Sequence, residues 1–392
     1  MTSPSAPAPP TSDDVRQMLA GVLDPELRVS ITELGMVHDV QVAPDGVVLV
    51  KVALTTAACP LRGQIGNEVK SKVAGVPGVT DVRVEYDEMT QTERSALMQR
   101  ARLAAARSAP ATEVPATTRV IAVGSGKGGV GKSSVTANLA AAIAARGLTV
   151  GVLDADIWGF SIPRMLGVQG RLAGEKTADG TGKIKPQEVR VGAGTLRVVS
   201  TGLLVDDEDT ALMWRGLILA KALEQFLVDV KWGDLDYLLI DMPPGTGDIQ
   251  MALARLLPQT EMLVVTTPAH GAQRIAARVA DMARRSYLKV LGVVENMSAF
   301  VAPDGSSHAI FGTGGGERLA ELTGAPLVGS IPIEPAVSAG GDEGTPVVLS
   351  APDTSAAIAL KEIAERIVTE LLPPVEMAGC TARMLELVQR MA

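Results

Sequence analysis

A glycine-rich segment between an apolar run and an alanine-rich run constrains this chain most. Residues 126–133 read GKGGVGKS, which satisfies the pattern G-x-x-x-x-G-K-[ST] directly after RVIAVGS and directly before the run SVTANLAAAIA. In that context the loop N-H groups surround phosphate oxygens, the lysine reaches the outer phosphates, and the hydroxyl can bind Mg²⁺. The segment therefore predicts a nucleotide site at a strand-to-helix junction.

The whole loop and the first turn of the following helix are expected to contact the nucleotide. These binding candidates are Gly126, Lys127, Gly128, Gly129, Val130, Gly131, Lys132, Ser133 and Ser134. A second pattern overlaps the first, because Gly124-x-Gly126-x-x-Gly129 also fits a dinucleotide fingerprint with Asp154 as the ribose-binding acid. The tripeptide Gly131-Lys132-Ser133 has no role in that alternative, so the phosphate loop is the preferred interpretation.

Apolar runs alternate with helical segments from residue 118 to residue 372. The runs lack clean alternation of polar and apolar residues, which is typical of strands covered on both faces, so we predict an α/β domain with a doubly wound, mostly parallel sheet. Polar residues follow three of these runs: Asp154 and Asp156 in LDADIWG, Asp241 in LLIDMPPGTGD, and Asn296 in VVENM. Because chemistry in such sheets gathers at the carboxyl ends of the strands, we expect these residues to converge on the phosphate loop.

Each of these polar residues has a predicted role and some have an alternative. A carboxylate at the position of Asp241 can hold Mg²⁺ together with Ser133. One carboxylate of the LDADIWG segment can orient an attacking water, whereas Asp154 can also be a helix-capping or loop carboxylate. The amide of Asn296 has the donor and acceptor needed to read an adenine edge, or it can bond to its own backbone in a turn.

The sequence before the phosphate loop predicts a smaller domain. Two β-branched runs flank Pro44-Asp45-Gly46 and predict a hairpin, while a helix over 61–74 and the strand VTDVRVEY complete an α+β domain. The predicted organisation is a disordered tail at 1–12, the α+β domain at 13–87, a helix and Pro/Ala linker at 88–117, the nucleotide-binding domain at 118–372, and a helical tail at 373–392.

Charge and composition exclude several classes of protein. The net charge is −8, from 44 acidic and 36 basic residues, without a long Lys/Arg block, which argues against nucleic-acid binding. No uncharged run approaches the ~18 residues that cross a bilayer, and the first residues lack the basic and apolar parts of a secretory signal. We therefore expect a cytoplasmic protein with no stable membrane association.

Several sequence blocks of the nucleotide-binding domain together resemble those of the Mrp-type P-loop iron-sulfur cluster carriers. They are GSGKGGVGKSS, DADIWGFSIPRMLG, MWRG, DYLLIDMPPGTGD, ENMSAF and IPIEP. Lys127 resembles the signature lysine of deviant Walker A ATPases, which reaches the nucleotide of a partner subunit, although a solvated loop lysine is the alternative. DPEL, TELGMV and TTAACP resemble the small domain of iron-sulfur assembly factors. The resemblance implies a homodimeric ATPase that uses ATP and Mg²⁺ and passes a cluster to apoproteins or assembly factors. By the same resemblance, the catalytic residues are Lys127, Lys132, Asp156 and Asp241.

One part of the family pattern is missing. In the family a C-P-x-C motif follows ENMS and supplies the cluster thiolates, whereas this chain has Ala302-Pro303-Asp304-Gly305. Cys59, before a predicted helix in TTAACPL, is the remaining candidate iron-sulfur ligand, although free cysteine is also a common buried apolar residue. Cys380 has no motif around it. An alternative function is therefore a nucleotide-gated interaction switch or chaperone that has lost cluster binding.

Overall fold

The computed structural model describes residues 9–25, 28–56, 59–157, 159–176, 182–204, 216–245, 247–286, 288–302, 304 and 306–375. The chain divides into two compact units, Met1–Ser108 and Ala109–Ala392. Most of the MWRG block and the predicted C-terminal helix with Cys380 lie outside the described residues. Within the described part, no helix combines the length and the apolar composition that crossing a membrane requires.

The first unit is a small α+β domain, as predicted. Its elements are α1 (Ser12–Leu19), β1 (Val37–Val42), β2 (Val47–Leu54), α2 (Arg62–Val73), β3 (Asp81–Glu88) and α3 (Gln91–Ser108). Strands β1 and β2 form the expected hairpin across Pro44-Asp45-Gly46, where Gly46 has a φ of 82° that suits a turn glycine. Strand β3 pairs with β2 in parallel. Helix α3 buries Leu97 and Ala101, so its apolar side is packed.

The second unit is built on alternating strands and helices. Its first elements are β4 (Arg119–Ser125), α4 (Lys132–Ala144), β5 (Thr149–Asp154), α5 (Ile162–Met165), β6 (Ala173–Lys176), β7 (Gly182–Lys185), β8 (Gln187–Val191), β9 (Gly194–Ser200), a 3₁₀ turn (Thr201–Leu204), α6 (Gly216–Val228) and β10 (Tyr237–Asp241). The remaining elements are α7 (Asp248–Leu256), β11 (Glu261–Thr266), α8 (His270–Arg285), β12 (Lys289–Val301), β13 (Ser307–His308), α9 (Gly315–Thr323), β14 (Leu327–Ile333), α10 (Pro335–Asp342), α11 (Val347–Ser350), α12 (Ser355–Arg366) and a π-helical turn (Ile367–Leu371).

The central sheet of the second unit has the strand order β13-β12-β11-β4-β10-β5-β9-β8, and β14 also pairs with β12. Strand β4 lies at the centre, parallel to both β10 and β11. Among the strands that the structure describes in this sheet, only β8 and β13 run antiparallel to their neighbours. The predicted doubly wound, mostly parallel sheet is therefore confirmed, and the strand that leads into the glycine-rich loop is its middle strand.

Apolar side chains cover both faces of this sheet. Ile121 and Val123 of β4 belong to a buried cluster with α4 and α12, whereas Val120 and Ala122 belong to a second cluster with α6, α7 and α8. Successive side chains of a strand point to opposite faces, so burial on both faces requires an unbroken apolar run. Each large side chain buried there contributes about 1.5–3 kcal/mol. This core holds the strand ends that carry the polar residues.

Candidate functional site

The loop between β4 and α4 is open on one side. Gly129 and Gly131 both have a φ of 78°, a conformation that favours glycine, and Gly131 directly precedes the first turn of α4. A Cβ added to Gly128 or Gly129 would meet no other atom within 4 Å, whereas one on Gly131 would collide with the Asn296 side-chain amide. The loop therefore leaves room for phosphate oxygens at a helix N-terminus, where N-H groups and the helix dipole favour anions.

Lys132 is buried among carboxylates at the start of α4. Its Nζ lies 2.7 Å from Oδ2 of Asp241 and 3.8 Å from Oδ2 of Asp156. Lys132 is only 6% exposed and Asp241 is fully buried. Charges that are removed from water in this way need close partners of opposite sign. The ammonium group thus lies beside the phosphate loop, between the carboxylates of Asp156 and Asp241.

Asp241 is the centre of a hydroxyl and carboxylate cluster. Ser133 Oγ donates to its Oδ2 at 2.6 Å, and Thr136 Oγ1 donates to its Oδ1 at 2.9 Å. Asp241 ends β10, in register with Val123 of β4 and Asp154 of β5. The hydroxyl of Ser133 and the carboxylate of Asp241 are hard oxygen donors, so this pair fits Mg²⁺. Thr136 was not predicted from the sequence, where its one signal is its position one turn after Ser133 on the same helix.

Asp154 is fully buried and its carboxylate oxygens accept several hydrogen bonds. Oδ1 accepts from the Asp156 N-H at 3.2 Å, and Oδ2 accepts from the Ser161 N-H at 3.1 Å, the Ile162 N-H at 3.2 Å and the Ser200 hydroxyl at 3.2 Å. Burial raises the pKa of Asp154, and the charge of Asp241 raises it further, while Lys132 opposes the rise. A carboxylate so enclosed cannot reach a ribose, which contradicts the dinucleotide alternative and agrees with the capping one.

Asp156 lies nearer the surface than Asp154 and is 15% exposed. Burial raises its pKa, the Lys132 ammonium opposes that rise, and the Asp241 carboxylate adds to it. A partly accessible carboxyl group beside a phosphate-reaching lysine can hold a water and take its proton. The structure thus brings Asp156, Lys132 and Asp241 together, as the sequence predicted.

Lys127 is exposed and makes no ion pair with any residue in the described part of the chain. Its carbonyl oxygen accepts from Ser125 Oγ at 3.1 Å, and the Ser125 carbonyl accepts from the Gly245 N-H at 2.8 Å. The buried side chain of Gln250 accepts from the Gly247 N-H at 2.8 Å and donates to the Gly245 carbonyl at 3.0 Å. The segment after Asp241 is therefore tied to the lysine loop. Gln250 was not predicted from the sequence, because its role depends on two backbone contacts.

Asn296 lies beside a cavity of about 420 Å³. Its Nδ2 donates to the Val130 carbonyl at 2.9 Å, so the amide bonds to the phosphate loop instead of its own backbone. The cavity is lined by Gly131, Ser134, Arg164, Met165, Asn296, Met297, Pro332, Ile333, Glu334, Pro335, Val337, Ser338, Gly341 and Asp342. Its position next to the loop and its size suit a nucleoside.

Met297 has a φ of 58°, and the pairing of β12 with β14 shifts between Asn296 and Phe300. Consecutive side chains of a regular strand point to opposite faces, yet Asn296 and Met297 both line the cavity. The irregular backbone therefore turns two neighbouring side chains toward one ligand space. A left-handed conformation at such a residue costs about 1–3 kcal/mol, and such residues concentrate at functional sites.

The segment after β12 does not offer a cluster site on its own. Asp304 is exposed and accepts from Ser306 Oγ at 2.6 Å, and that hydroxyl lies 3.0 Å from Nε2 of the exposed His308. Across the residues that the structure describes, no group of three or more His, Cys, Asp or Glu side chains is arranged to hold a metal. In the first unit, Cys59 is a partly buried free thiol just before α2.

Comparisons with known proteins agree with this geometry. A family model of the ParA group, described as NUBPL iron-transfer P-loop NTPase, matches residues 116–368. A second model, described as iron-sulfur cluster assembly protein, matches residues 12–86. The iron-sulfur cluster carrier protein of Mycobacterium tuberculosis is 46% identical over 362 residues, which cover 91% of this chain and 92% of that protein. The protein of the same name from Deinococcus radiodurans is 43% identical over 92% of this chain and 95% of its own length.

A solved structure is also similar to the second unit. The nucleotide-binding protein from Archaeoglobus fulgidus, in complex with ADP, is 34% identical with a TM-score of 0.50, over 60% of this chain and 89% of that chain. The first family model spans well over half of the chain and includes every residue of the phosphate loop, the strand-end carboxylates and the nucleoside cavity. This chain therefore belongs to the NUBPL-type iron-transfer P-loop NTPases, with an iron-sulfur cluster assembly domain preceding the P-loop unit.

Proposed function

We propose that this protein binds and hydrolyses ATP and carries an iron-sulfur cluster to apoproteins or assembly factors. The single observation that carries the nucleotide part is the contact of the buried Lys132 and Asp241 with each other and with Ser133 at an open glycine loop. The cluster part is supported by the name that the relatives share and by the assembly-type domain at residues 12–86.

The proposed hydrolysis follows from the positions of the side chains. The loop N-H groups and Lys132 bind the phosphates, and Asn296 contacts the base. Ser133 and Asp241 would hold Mg²⁺, which neutralises charge on the phosphate oxygens when it is bound. Asp156 orients a water and accepts its proton as the water oxygen forms a bond to the terminal phosphorus and the bond to the ADP oxygen breaks.

The cluster is cargo in this scheme, and its ligands are thiolates because soft iron-sulfide centres prefer sulfur. Residues 302–305 contain no cysteine, so Cys59 is the proposed ligand. One thiolate cannot hold a cluster, and we propose that a homodimer contributes two Cys59 side chains, with the recipient supplying the rest. The exposed Lys127 would reach the nucleotide of the partner subunit in the same dimer.

The absence of the C-P-x-C cysteines from residues 302–305 favours a second candidate function, a nucleotide-gated interaction switch. The described residues contain no three-residue metal group, and the motif position reads Ala302-Pro303-Asp304-Gly305. A nucleotide-gated interaction switch would keep the ATP site and need no thiolate ligands. It would hydrolyse ATP and bind no iron.

Anaerobic reconstitution with iron and sulfide separates these functions. We expect the wild-type full chain to bind a cluster and to transfer it to an apo-ferredoxin, and Cys59→Ala to lose most of the bound iron and sulfide. Cys380→Ala is the matched control and should retain both. Lys132→Ala should abolish ATP binding in calorimetry, because it removes the cation that contacts the outer phosphates.

Three results would contradict these expectations. An iron-free wild-type protein that hydrolyses ATP would replace the carrier function with the interaction switch. Equal iron content in wild type and Cys59→Ala would remove Cys59 from the ligand set. Unchanged ATP affinity in Lys132→Ala would refute the phosphate site.

A further inference from the structure

Asp154 makes contacts that the proposed chemistry does not use. Its carboxylate is fully buried, and its hydrogen-bond donors come from the segment that follows β5 and from Ser200 at the end of β9. One oxygen holds the Asp156 N-H, while the other holds the N-H groups of Ser161 and Ile162. The same carboxylate thus fixes both ends of a short segment.

The two ends of that segment face different parts of the nucleotide site. At one end, the Asp156 carboxylate lies 3.8 Å from Lys132 Nζ. At the other end, α5 begins at Ile162, and its residues Arg164 and Met165 line the nucleoside cavity. The wall of the nucleoside cavity and Asp156, the proposed general base, are therefore only a few residues apart, and the Asp154 carboxylate holds both.

We propose that Asp154 is a positioning residue for the hydrolysis described above: its buried carboxylate holds Asp156 beside Lys132 and holds α5 against the nucleoside cavity, as one unit. The inference rests on the proposed ATPase function. Asp154 itself contacts neither ATP nor the attacking water in this scheme. Its effect on the reaction passes through the Asp156 N-H.

The two oxygens of Asp154 differ in a way that makes the inference testable. Three donors converge on Oδ2, so an asparagine at this position would place its carbonyl oxygen there. Its NH₂ group would then face the Asp156 N-H, which now bonds to Oδ1 at 3.2 Å. Two donors repel each other, so Asp154→Asn releases Asp156 while keeping the start of α5.

The decisive experiment measures steady-state ATP hydrolysis by the full-length Asp154→Asn protein. We expect kcat to fall by at least about tenfold, because a displacement of about 1 Å in a catalytic group can cost about a hundredfold. KM for ATP should stay within about twofold, since the cavity wall keeps its anchor. Asp236→Asn is the matched control. It changes a carboxylate that accepts from the Thr149 N-H at 2.8 Å, at the other end of β5, and should keep kcat and KM.

Hydrogen-deuterium exchange provides a readout that does not require turnover. In Asp154→Asn, exchange should increase in the peptide that contains Asp156 and stay slow in the peptide that contains Ile162. Wild-type kcat and an unchanged exchange pattern in Asp154→Asn would overturn the positioning role. If the wild-type protein does not hydrolyse ATP, the proposed function fails, while the exchange rate of the Asp156 peptide in Asp154→Asn still decides whether Asp154 anchors Asp156.

Discussion

At the scale of single residues, the site depends on how Asp241 is satisfied. This buried carboxylate accepts from Ser133 and Thr136 and pairs with Lys132. Thr136 Oγ1 also lies 3.0 Å from the Lys132 carbonyl, within the same helix. A buried carboxylate that loses a donor is left with a desolvation cost that nothing offsets. Thr136 therefore supports the proposed magnesium ligand at Oδ1, while Ser133 contacts Oδ2.

Thr136→Val tests this support, because valine keeps the shape of threonine and removes the hydroxyl. We expect the free energy of unfolding to fall by about 1.5–3 kcal/mol, the cost of removing one hydrogen bond to a buried charged group. Urea unfolding measures it, and Thr136→Ser, which keeps the hydroxyl, should lose less. A valine variant as stable as the wild type would show that Asp241 does not need this donor.

Sequence alone could predict the residues whose place is set by local pattern. The phosphate loop, Asp156, Asp241 and Asn296 follow apolar strands, and parallel strands bring such ends to one edge of the sheet. Thr136 and Gln250 carry no such pattern, since a polar residue inside a helix has many possible partners. Their roles depend on which strand end or turn packs against the helix, and only the folded structure supplies that information.

At the scale of elements, residues 372 and 373 are hydrogen-bonded to the first residues of two central strands. The Tyr237 hydroxyl at the beginning of β10 donates to the Leu372 carbonyl at 2.6 Å, and Arg119 Nε at the beginning of β4 donates to the Pro373 carbonyl at 2.7 Å. Tyr237 is fully buried, and burial raises its pKa to about 12. The neutral phenol is thus the form that the folded state stabilises.

This pKa shift predicts a pH dependence. Because the folded-state pKa lies above the ordinary value of about 10, the contribution of Tyr237 is complete below pH ~10 and is lost as pH rises toward about 12. Tyr237→Phe should lower the unfolding free energy by about 1 kcal/mol at pH 8. The difference between wild type and variant should shrink at pH 11. Chemical denaturation at both pH values measures it, and a difference that grows at pH 11 would contradict the assignment.

Some elements were predictable and others were not. The hairpin of the first unit and the buried strands of the second follow from turn residues and long apolar runs. Strands β6 to β9 and β13 were not predicted from the sequence. Most of them are short, lie at edges or in a separate ribbon and carry polar residues, and β9 has Arg197 within its apolar run. Such strands depend on pairing partners more than on their own composition.

At the scale of the whole molecule, Lys127 of the second unit is a charged residue that forms no ion pair with the described residues of its own chain. Lys127 projects from the phosphate loop as an exposed residue, while Lys132 in the same loop is buried. Two cations in one loop are more than a single set of phosphates within the chain requires. This difference in burial supports the proposed action of Lys127 on a partner subunit.

Lys127→Ala separates the two lysines. We expect the variant to bind ATP within about twofold of wild type, because Lys132 still reaches the phosphates, and to lose ATP-dependent dimerisation and hydrolysis. Sedimentation velocity with ATP and phosphate release measure these properties, and Lys221→Ala on the exposed side of α6 is the control. An Lys127→Ala protein that still dimerises and hydrolyses ATP would return Lys127 to the role of a solvated loop lysine.

The left-handed methionine beside the nucleoside cavity has a consequence for how this protein can change over time. A glycine at position 297 would relieve the backbone conformation, but it would also remove the side chain that lines the cavity. Selection for folding stability and selection for a cavity that fits a nucleoside closely therefore act in opposite directions at this position. Met297 thus lowers the stability of the folded state and at the same time keeps the shape of the cavity.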